Sequence, residues 1–325
     1  MSYAPQKNYG ISYGADYFFN NLNSNQSINA NVGRHSILQS FTANYNWWRL
    51  SLSGRMLASA YINHAEGIQT SKNFMRLSPS AGLSLRLLPR ESLYLRAFYK
   101  DIFRMPTFTE SYYYHLGNAD LSPERTHQLG VGMTMQKYIA SWWPELKVTA
   151  DAYLNRVCDK IVSIPITLHV WRTLNMGKVD AHGLDFTLMN RFRVAGIHYI
   201  ILSGSYSLQS VKDKTSESSV TYNKQLAYTP EYSGNISLAY ETLWINFAIT
   251  GCGASNRYST NEHSHGTQLK SYMDFGISAW RNFKWEGVDM EVKTDIQNMF
   301  DKQYDIVNGY PMPGRSYRIS LTIKI

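Results

Sequence analysis

Polar and apolar residues alternate near the end of the chain, on either side of a loop. Every second residue of 289–297 is charged or an amide, and every second residue of 317–325 is tyrosine or an aliphatic residue. This period of two predicts two long strands, each with one polar and one apolar face. Pro311 and Pro313 lie between them and cannot continue a ladder of backbone hydrogen bonds. Such a hairpin suits a β-barrel with lipid outside and water inside.

The same alternation recurs from the start of the chain, and helical periodicity is almost absent. With the two strands at the end, it predicts roughly 14 strands of about 10–14 residues, longer than the five or six residues usual in soluble proteins. The others are expected near 11–19, 40–47, 50–56, 76–88, 92–103, 126–138, 146–158, 181–193, 197–209, 233–240, 243–255 and 271–282. We therefore predict an all-β fold, an antiparallel transmembrane β-barrel.

The connections between these strands alternate between long and short. Long connections are expected near 20–34, 62–74, 104–124, 160–178, 212–228, 256–270 and 300–313. Short ones are expected near 46–48, 88–91, 139–144, 194–196, 240–243 and 283–287. Outer-membrane barrels have long extracellular loops and short periplasmic turns, so this alternation favours a barrel over a soluble sandwich.

Aromatic residues make up 14% of the chain, with 24 tyrosines and 8 tryptophans. Six tryptophans lie at the short connections: Trp47, Trp48, Trp142, Trp143, Trp244 and Trp285. We expect them to form an aromatic belt at the periplasmic boundary of the membrane. The alternative is that tryptophan simply prefers strand ends, and a soluble sugar-binding β-protein would be aromatic-rich as well.

Bulk composition argues against a helical membrane protein, a nucleic-acid-binding protein and a disulfide-rich protein. The mean hydropathy of −0.34 predicts no membrane-spanning helix, although alternating strands hide their lipid-facing side from such averages. The net charge of +8 has no basic run behind it, so nucleic-acid binding is not expected. Cys158 and Cys252 are too few for a disulfide scaffold and are expected to stay unpaired. The residues after Met1 lack the charged and apolar regions of a signal peptide.

Three motifs occur in order along the chain. The first reads YKDIFRMPTFTESYY over 99–113, followed by Gly117-Asn118 and by LSPE over 121–124. The second reads NMGKV over 175–179 and precedes Gly183. The third reads NMFDKQY over 298–304, followed by GYPMPGR over 309–315. In this order and at these spacings, the motifs resemble the barrel of TonB-dependent outer-membrane receptors.

The resemblance covers essentially all of residues 1–325 but only the C-terminal part of the family's architecture. Outer-membrane transporters of this kind close at about 22 strands around a plugged lumen. We therefore expect one domain, roughly the last 14 strands of such a barrel, without the plug, the TonB-contacting segment or the first strands. The family usually ends on an aromatic residue, whereas this chain ends on Ile325.

The resemblance implies mainly structural roles for the matched residues. Pro106 and Pro123 lack a backbone N–H and frame the loop between Arg104 and Glu124. The charged residues among them are interpreted as ion pairs where strands leave the membrane, the alternative being that they hold loops over the pore. The residues assigned to structural roles are Arg104, Pro106, Thr107, Glu110, Pro123, Glu124, Pro313, Gly314 and Arg315.

Two clusters carry candidate binding chemistry. The run Tyr112, Tyr113, Tyr114 and His115 is suited to stacking on a flat or macrocyclic ligand, and it equally suits an outer aromatic girdle. His263 and His265 are suited to binding a transition metal, but a solvated loop explains them as well, so no metal site is predicted. The sequence contains none of the common catalytic or nucleotide-binding motifs, so we expect no catalytic residues, no cofactor and no enzymatic activity.

The resemblance implies an outer-membrane receptor that takes up a large, scarce nutrient such as siderophore-bound iron, haem or cobalamin. Its expected partners are outer-membrane lipid, a plug, the TonB complex, the barrel assembly machinery and an unidentified small-molecule ligand. A first alternative is a truncated or split gene product without autonomous transport activity. A second is a soluble β-rich sugar-binding protein.

Overall fold

The chain folds into one large antiparallel sheet with small elements in its connections. The computed structural model describes residues 2–6, 8–24, 30–66, 72–88, 92–113, 116–165 and 170–324. In chain order the elements are β1 (Ser2–Gln6), β2 (Tyr9–Ser24), β3 (Ala30–Trp47), β4 (Leu50–Glu66), β5 (Phe74–Arg86), β6 (Ser92–Arg104), α1 (Phe108–Tyr112), β7 (Glu124–Lys137), β8 (Glu145–Pro165), β9 (Trp171–Ala195), β10 (His198–Asp213), β11 (Tyr232–Glu241), β12 (Asn246–Ala254), β13 (Arg257–Tyr258), β14 (Gln268–Leu269), β15 (Tyr272–Trp285), β16 (Val288–Gln297), β17 (Asp305–Val307), β18 (Tyr310–Pro311) and β19 (Ser316–Lys324).

Fifteen strands of the described residues make up the large sheet, and each pairs with its neighbours along the chain. The only departures are β12–β15 and β16–β19, because β13–β14 and β17–β18 form separate two-stranded ribbons inside those connections. Among the described residues, β1 and β19 are the edges of the sheet, and no pairing joins them. This order confirms the predicted all-β, antiparallel fold.

The two faces of the sheet differ as the alternation predicts. Asp295 lies opposite Arg318 on one face, and Thr294 lies opposite Ile319 on the other, where the Ile319 side chain is 79% exposed. The register carries this alternation across the sheet, so we name the two sides the polar face and the apolar face. Other exposed side chains of the apolar face are Tyr13, Phe41, Leu129, Leu154, Leu184 and Ile236. A continuous exposed apolar surface of this extent suits hydrocarbon rather than water.

Short turns lie at one end of the sheet and long connections at the other, which we call the short-turn end and the long-loop end. Between β15 and β16 the turn has only two residues, Glu286 and Gly287, with φ of 51° and 87°. Positive φ at both positions is typical of the tight hairpin turn that matches strand twist. The predicted tryptophan belt lies at this end, where Trp48 and Trp244 are exposed; its role at a membrane boundary stays a prediction.

Several strands extend further toward the long-loop end than predicted. The expected loop over 160–178 is wrong for most of its length, because β8 continues to Pro165 and β9 begins at Trp171. Beyond the hydrocarbon layer neither face has to be apolar, so the alternation fades while backbone pairing continues. Within the described residues, no helix is long and apolar enough to cross a membrane.

Candidate functional site

The connection between β6 and β7, described over residues 105–113 and 116–123, folds back over the polar face at the long-loop end. We call it the strap. Its helix α1 packs on β3, where Tyr112 covers the buried side chain of Val32. Arg34, on the same face of β3, donates a hydrogen bond from Nη1 to the carbonyl oxygen of Pro106 at 2.7 Å. The strap is therefore anchored to β3 by both apolar packing and a hydrogen bond.

Helix α1 begins at a capping box. The Thr107 hydroxyl oxygen accepts a hydrogen bond from the backbone N–H of Glu110 at 3.2 Å, and the Glu110 carboxylate accepts one from the backbone N–H of Thr107 at 2.8 Å. Each side chain thereby satisfies a backbone donor that the first turn of a helix leaves free. Pro106 comes just before the cap and has no N–H to satisfy. These contacts explain why a helix of one turn forms here.

Arg104 ties the strap together at its base. Its guanidinium lies 2.9 Å from Glu110 Oε2 and 3.3 Å from Glu124 Oε2. The same Glu124 oxygen accepts a hydrogen bond from the backbone N–H of Ile161 at 3.1 Å. Arg104, the last residue of β6, thus links helix α1 to Glu124, the first residue of β7, and Glu124 links both to β8. The three charges are thus paired; whether the pairs serve where strands leave the membrane or hold the loop over the pore stays a prediction.

The far side of the strap is bound to β9. The backbone N–H of Thr173 donates to the carbonyl oxygen of Leu116 at 3.0 Å. Asn175 accepts a hydrogen bond from the backbone N–H of Ser122 at 2.9 Å and donates from Nδ2 to the Ser122 carbonyl at 2.9 Å and to that of Asp159 at 2.7 Å. The first residue of the second motif therefore holds the strap in place, a role that its position in sequence did not reveal.

Glu110 gives the strap a dependence on pH. Burial acts to raise the pKa of this carboxyl, but hydrogen bonds from Thr107 and Arg104 outweigh it and lower the pKa below the ordinary value of 4.5. The Glu110 pKa is therefore lower when the strap is packed on the sheet than when the strap is detached. This difference stabilises the packed strap at pH values above 4.5, and the stabilisation is lost as the pH falls through the lowered pKa.

We expect the backbone amides of 105–113 to lose protection from hydrogen exchange as the pH is lowered below the ordinary carboxyl range. In Glu110→Gln the amide can still cap the helix, but it carries no charge, so this part of the pH dependence should disappear. The measurement is hydrogen exchange by mass spectrometry, corrected for the intrinsic effect of pH on exchange. Identical pH profiles for the variant and the parent would contradict this role of Glu110.

The fold places the aromatic residues predicted to contact a ligand in different environments. Tyr112 is only 5% exposed and packs against β3, whereas Tyr113, which follows the helix, is 62% exposed. Tyr114 and His115 lie outside the described residues. Tyr113 is therefore the member of the described part of this run that presents an open ring, and ligand stacking there stays a prediction.

The third motif shapes the connection that leads into β19. Asn298 donates from Nδ2 to the carbonyl oxygens of Lys302 at 2.8 Å and Pro313 at 3.1 Å. A Cβ added to Gly314 would lie 2.5 Å from Asp301 Oδ1, so a larger residue there would displace this carboxylate. That carboxylate accepts from the backbone N–H of Arg315 at 2.8 Å. In the described part of the chain the Arg315 side chain enters no ion pair, which differs from the expected charge pairing.

A second polar cluster on the polar face has no signature in the sequence. The Tyr304 hydroxyl donates to Asp274 Oδ2 at 2.7 Å, and its ring stacks on Tyr272 with the centroids 4.4 Å apart. Burial and the Asp274 carboxylate raise the pKa of Tyr304, so it remains a protonated donor. Asp274 lies in an otherwise ordinary strand, and no local pattern marks it. This cluster holds the third motif against β15.

In the 256–270 connection, His263 is held by a ring contact and by a hydrogen bond, and His265 is exposed. His263 stacks on Tyr258 with the centroids 3.8 Å apart, and its Nε2 lies 2.7 Å from the carbonyl oxygen of Gln225. Across the ranges that the structure describes, no three histidine, cysteine, aspartate or glutamate side chains come together in a way that could hold a metal ion. The contact between His263 and Gln225 connects the 256–270 and 212–228 connections.

Solved transporters share this architecture. The FrpB iron transporter from Neisseria meningitidis (F3-3 variant) superposes with a TM-score of 0.70 at 16% identity, over 98% of this chain and 53% of that chain. The ferric citrate transporter FecA in its unliganded form gives 0.72 at 13%, over 98% and 52%. The copper transporter OprC gives 0.70 at 15%, over 97% and 54%. These likenesses show the fold, and this chain spans about half the length of each protein.

The amino-acid sequence itself carries the family signature. Residues 2–299 match the family model described as TonB dependent receptor-like, beta-barrel. The matched range includes the strap and both strands that anchor it, β3 and β9. The resemblance inferred from the motifs is confirmed: the chain belongs to the TonB-dependent receptor family, as part of its β-barrel.

Proposed function

We propose that this chain forms part of the wall of an outer-membrane receptor that takes up a scarce metal-containing nutrient with energy supplied through TonB. The observation that carries the proposal is the strap, because it fixes an irregular, partly aromatic segment over the polar face at the long-loop end. In a barrel of this family, that position faces incoming ligand. The family is one of transport receptors, which also weighs against an enzymatic role.

The two faces of the sheet support the membrane part of the proposal. The apolar face would contact outer-membrane lipid, and the polar face would line a water-filled lumen and contact a plug. A direct test is to fold the purified chain into detergent micelles. We expect a species whose electrophoretic mobility shifts on heating only after folding in detergent. A monodisperse soluble monomer in the absence of detergent would contradict the barrel and favour the sugar-binding alternative.

Iron complexes are the substrate class that the comparisons support best. FrpB is described as an iron transporter and FecA as a ferric citrate transporter, while OprC is described as a copper transporter. We therefore place siderophore-bound or chelated iron first and other metals second. Haem and cobalamin remain narrower proposals that rest on the resemblance of the sequence alone.

A second candidate is a barrel piece without transport activity of its own. The observation that favours it is the open sheet, in which β1 and β19 have no partner on their outer edges among the described residues. An unclosed sheet cannot separate a lumen from lipid, so transport by this segment would need further strands.

Growth on defined nutrients tests the proposal. A strain lacking the whole locus is compared with its parent on ferric citrate, siderophore-bound iron, haem or cobalamin as the sole source of that nutrient. We expect growth to fail on at least one iron source and to return when the locus is restored. Unchanged growth on every source would count against uptake and would favour the second candidate.

A further inference from the structure

Arg34 is a buried cation under the strap. Its side chain lies on the polar face of β3, and the residue is only 8% exposed. Nε donates to Asn63 Oδ1 at 2.7 Å, Nη1 donates to the Pro106 carbonyl at 2.7 Å, and the guanidinium carbon lies 5.0 Å from the centre of the Phe108 ring. These contacts hold the guanidinium in one orientation.

The charge of Arg34 is not balanced. In the part of the chain that the structure describes, no carboxylate lies within ion-pair distance of it, and its buried Nη2 makes no hydrogen bond. Arg257 is buried to a similar degree, but its guanidinium reaches the carbonyl oxygens of Lys270, Asp305 and Ile306. A buried charge with an unused donor is costly unless a partner satisfies it. Arg34 therefore lacks a negatively charged hydrogen-bond acceptor among the described residues.

A second unused polar group lies in the same layer. Ser111 is 3% exposed, and its hydroxyl oxygen makes no hydrogen bond. In α1 it is three residues after Phe108 and adjacent to Tyr112, the two residues that contact β3. Positions three apart lie on the same side of a helix, so the spacing from Phe108 predicts that Ser111 faces β3 as well. The strap, through the Ser111 hydroxyl, and the sheet, through Arg34 Nη2, thus each place one donor without an acceptor in the layer between them.

We propose that Arg34 and Ser111 form a binding site for a carboxylate or a similar oxyanion group. The planar guanidinium fork suits such groups, and a serine hydroxyl can donate the additional hydrogen bond. The anionic group would come from a small ligand or from an acidic side chain of a polypeptide segment that packs on the polar face. This inference rests on the proposed function, since it assigns an anionic character to what the receptor binds there.

Binding at this site would also tighten the strap. Arg34 already donates to Pro106 on the strap, and Ser111 belongs to α1, so an anion between them adds a bridge from β3 to the helix. Occupancy should therefore slow hydrogen exchange of 105–113. This gives a readout that depends on the site and does not require transport.

The experiment uses the full chain folded in detergent micelles. Inorganic phosphate, citrate and a short acidic peptide are titrated separately, by calorimetry and by hydrogen exchange of the strap. We expect saturable binding of at least one probe, weakened about tenfold or more in Arg34→Gln, less in Arg34→Lys, and a few-fold in Ser111→Ala. Arg281→Gln, which changes an exposed arginine of β15, should bind like the parent.

Arg34-dependent binding of any probe supports the site, and the probe that binds identifies the source of the anion. The proposal is overturned if no probe binds saturably, or if Arg34→Gln binds as well as the parent. Each variant is first checked for the heat-dependent mobility shift, and Ser111→Ala leaves the buried cation in place should Arg34→Gln fail to fold. A negative growth test would leave this binding result intact, so the two failures are distinguishable.

Discussion

Replacing Gly117 with alanine is expected to detach the strap from the sheet. A Cβ at this position would lie 2.6 Å from the backbone nitrogen of Tyr113 and 2.7 Å from that of Tyr112. Backbone atoms at the end of α1 cannot rotate aside as the tip of a side chain can, so the helix and the segment after it must separate. We expect a cost of about 3 kcal/mol and a roughly hundredfold faster hydrogen exchange of 105–113.

Gly54→Ala is the matched control for this change. A Cβ added there, on the apolar face of β4, meets no atom within 4 Å. The same substitution should therefore leave exchange of the strap at the level of the parent. Equal effects of the two substitutions, or normal protection of the strap in Gly117→Ala, would show that close packing at Gly117 does not hold the strap.

Arg104→Met is expected to have the second largest effect. The substitution keeps most of the side-chain volume but leaves Glu110 and Glu124 without their shared cation and close to each other. The three side chains are only partly exposed, so we expect a loss of about 2 kcal/mol, less than for a fully buried pair. A double-mutant cycle with Glu110→Gln isolates the energy of the Arg104–Glu110 pair. The stability of each variant in the cycle is measured by denaturant unfolding in detergent.

Arg156→Met provides the comparison for an exposed ion pair. Arg156 lies 3.4 Å from Asp180, and its side chain is 72% exposed. Pairs of this kind contribute between nothing and about 1 kcal/mol, so the substitution should be close to neutral. If Arg104→Met costs no more than Arg156→Met, the base of the strap is held by its backbone contacts alone.

The large sheet was predictable because its signal is local. A period of two is visible in any ten residues, and the order of long and short connections gives every strand its direction. Helix α1 was missed because a single turn carries no periodicity. The signal that could have found it is the pair Thr107 and Glu110, a capping box three residues apart.

The site was less predictable because its partners are distant in sequence. Arg34 and Pro106 are 72 residues apart, and no local pattern joins them. In the aromatic run, Tyr112 and Tyr113 are neighbours of identical chemistry, yet α1 buries the first and leaves the second exposed. Only the direction in which the helix lies on β3 separates their roles.

The strap has a mechanical consequence. It joins β3 to β9 across six interstrand spacings, about 29 Å of arc at roughly 4.8 Å for each spacing. A link of fixed length between two points of a curved wall acts as a chord, so it limits how far that part of the wall can flatten. The chord lies at the long-loop end, and the strap provides no such tie at the opposite end. Pressure from inside the arc would therefore spread these strands first at the short-turn end.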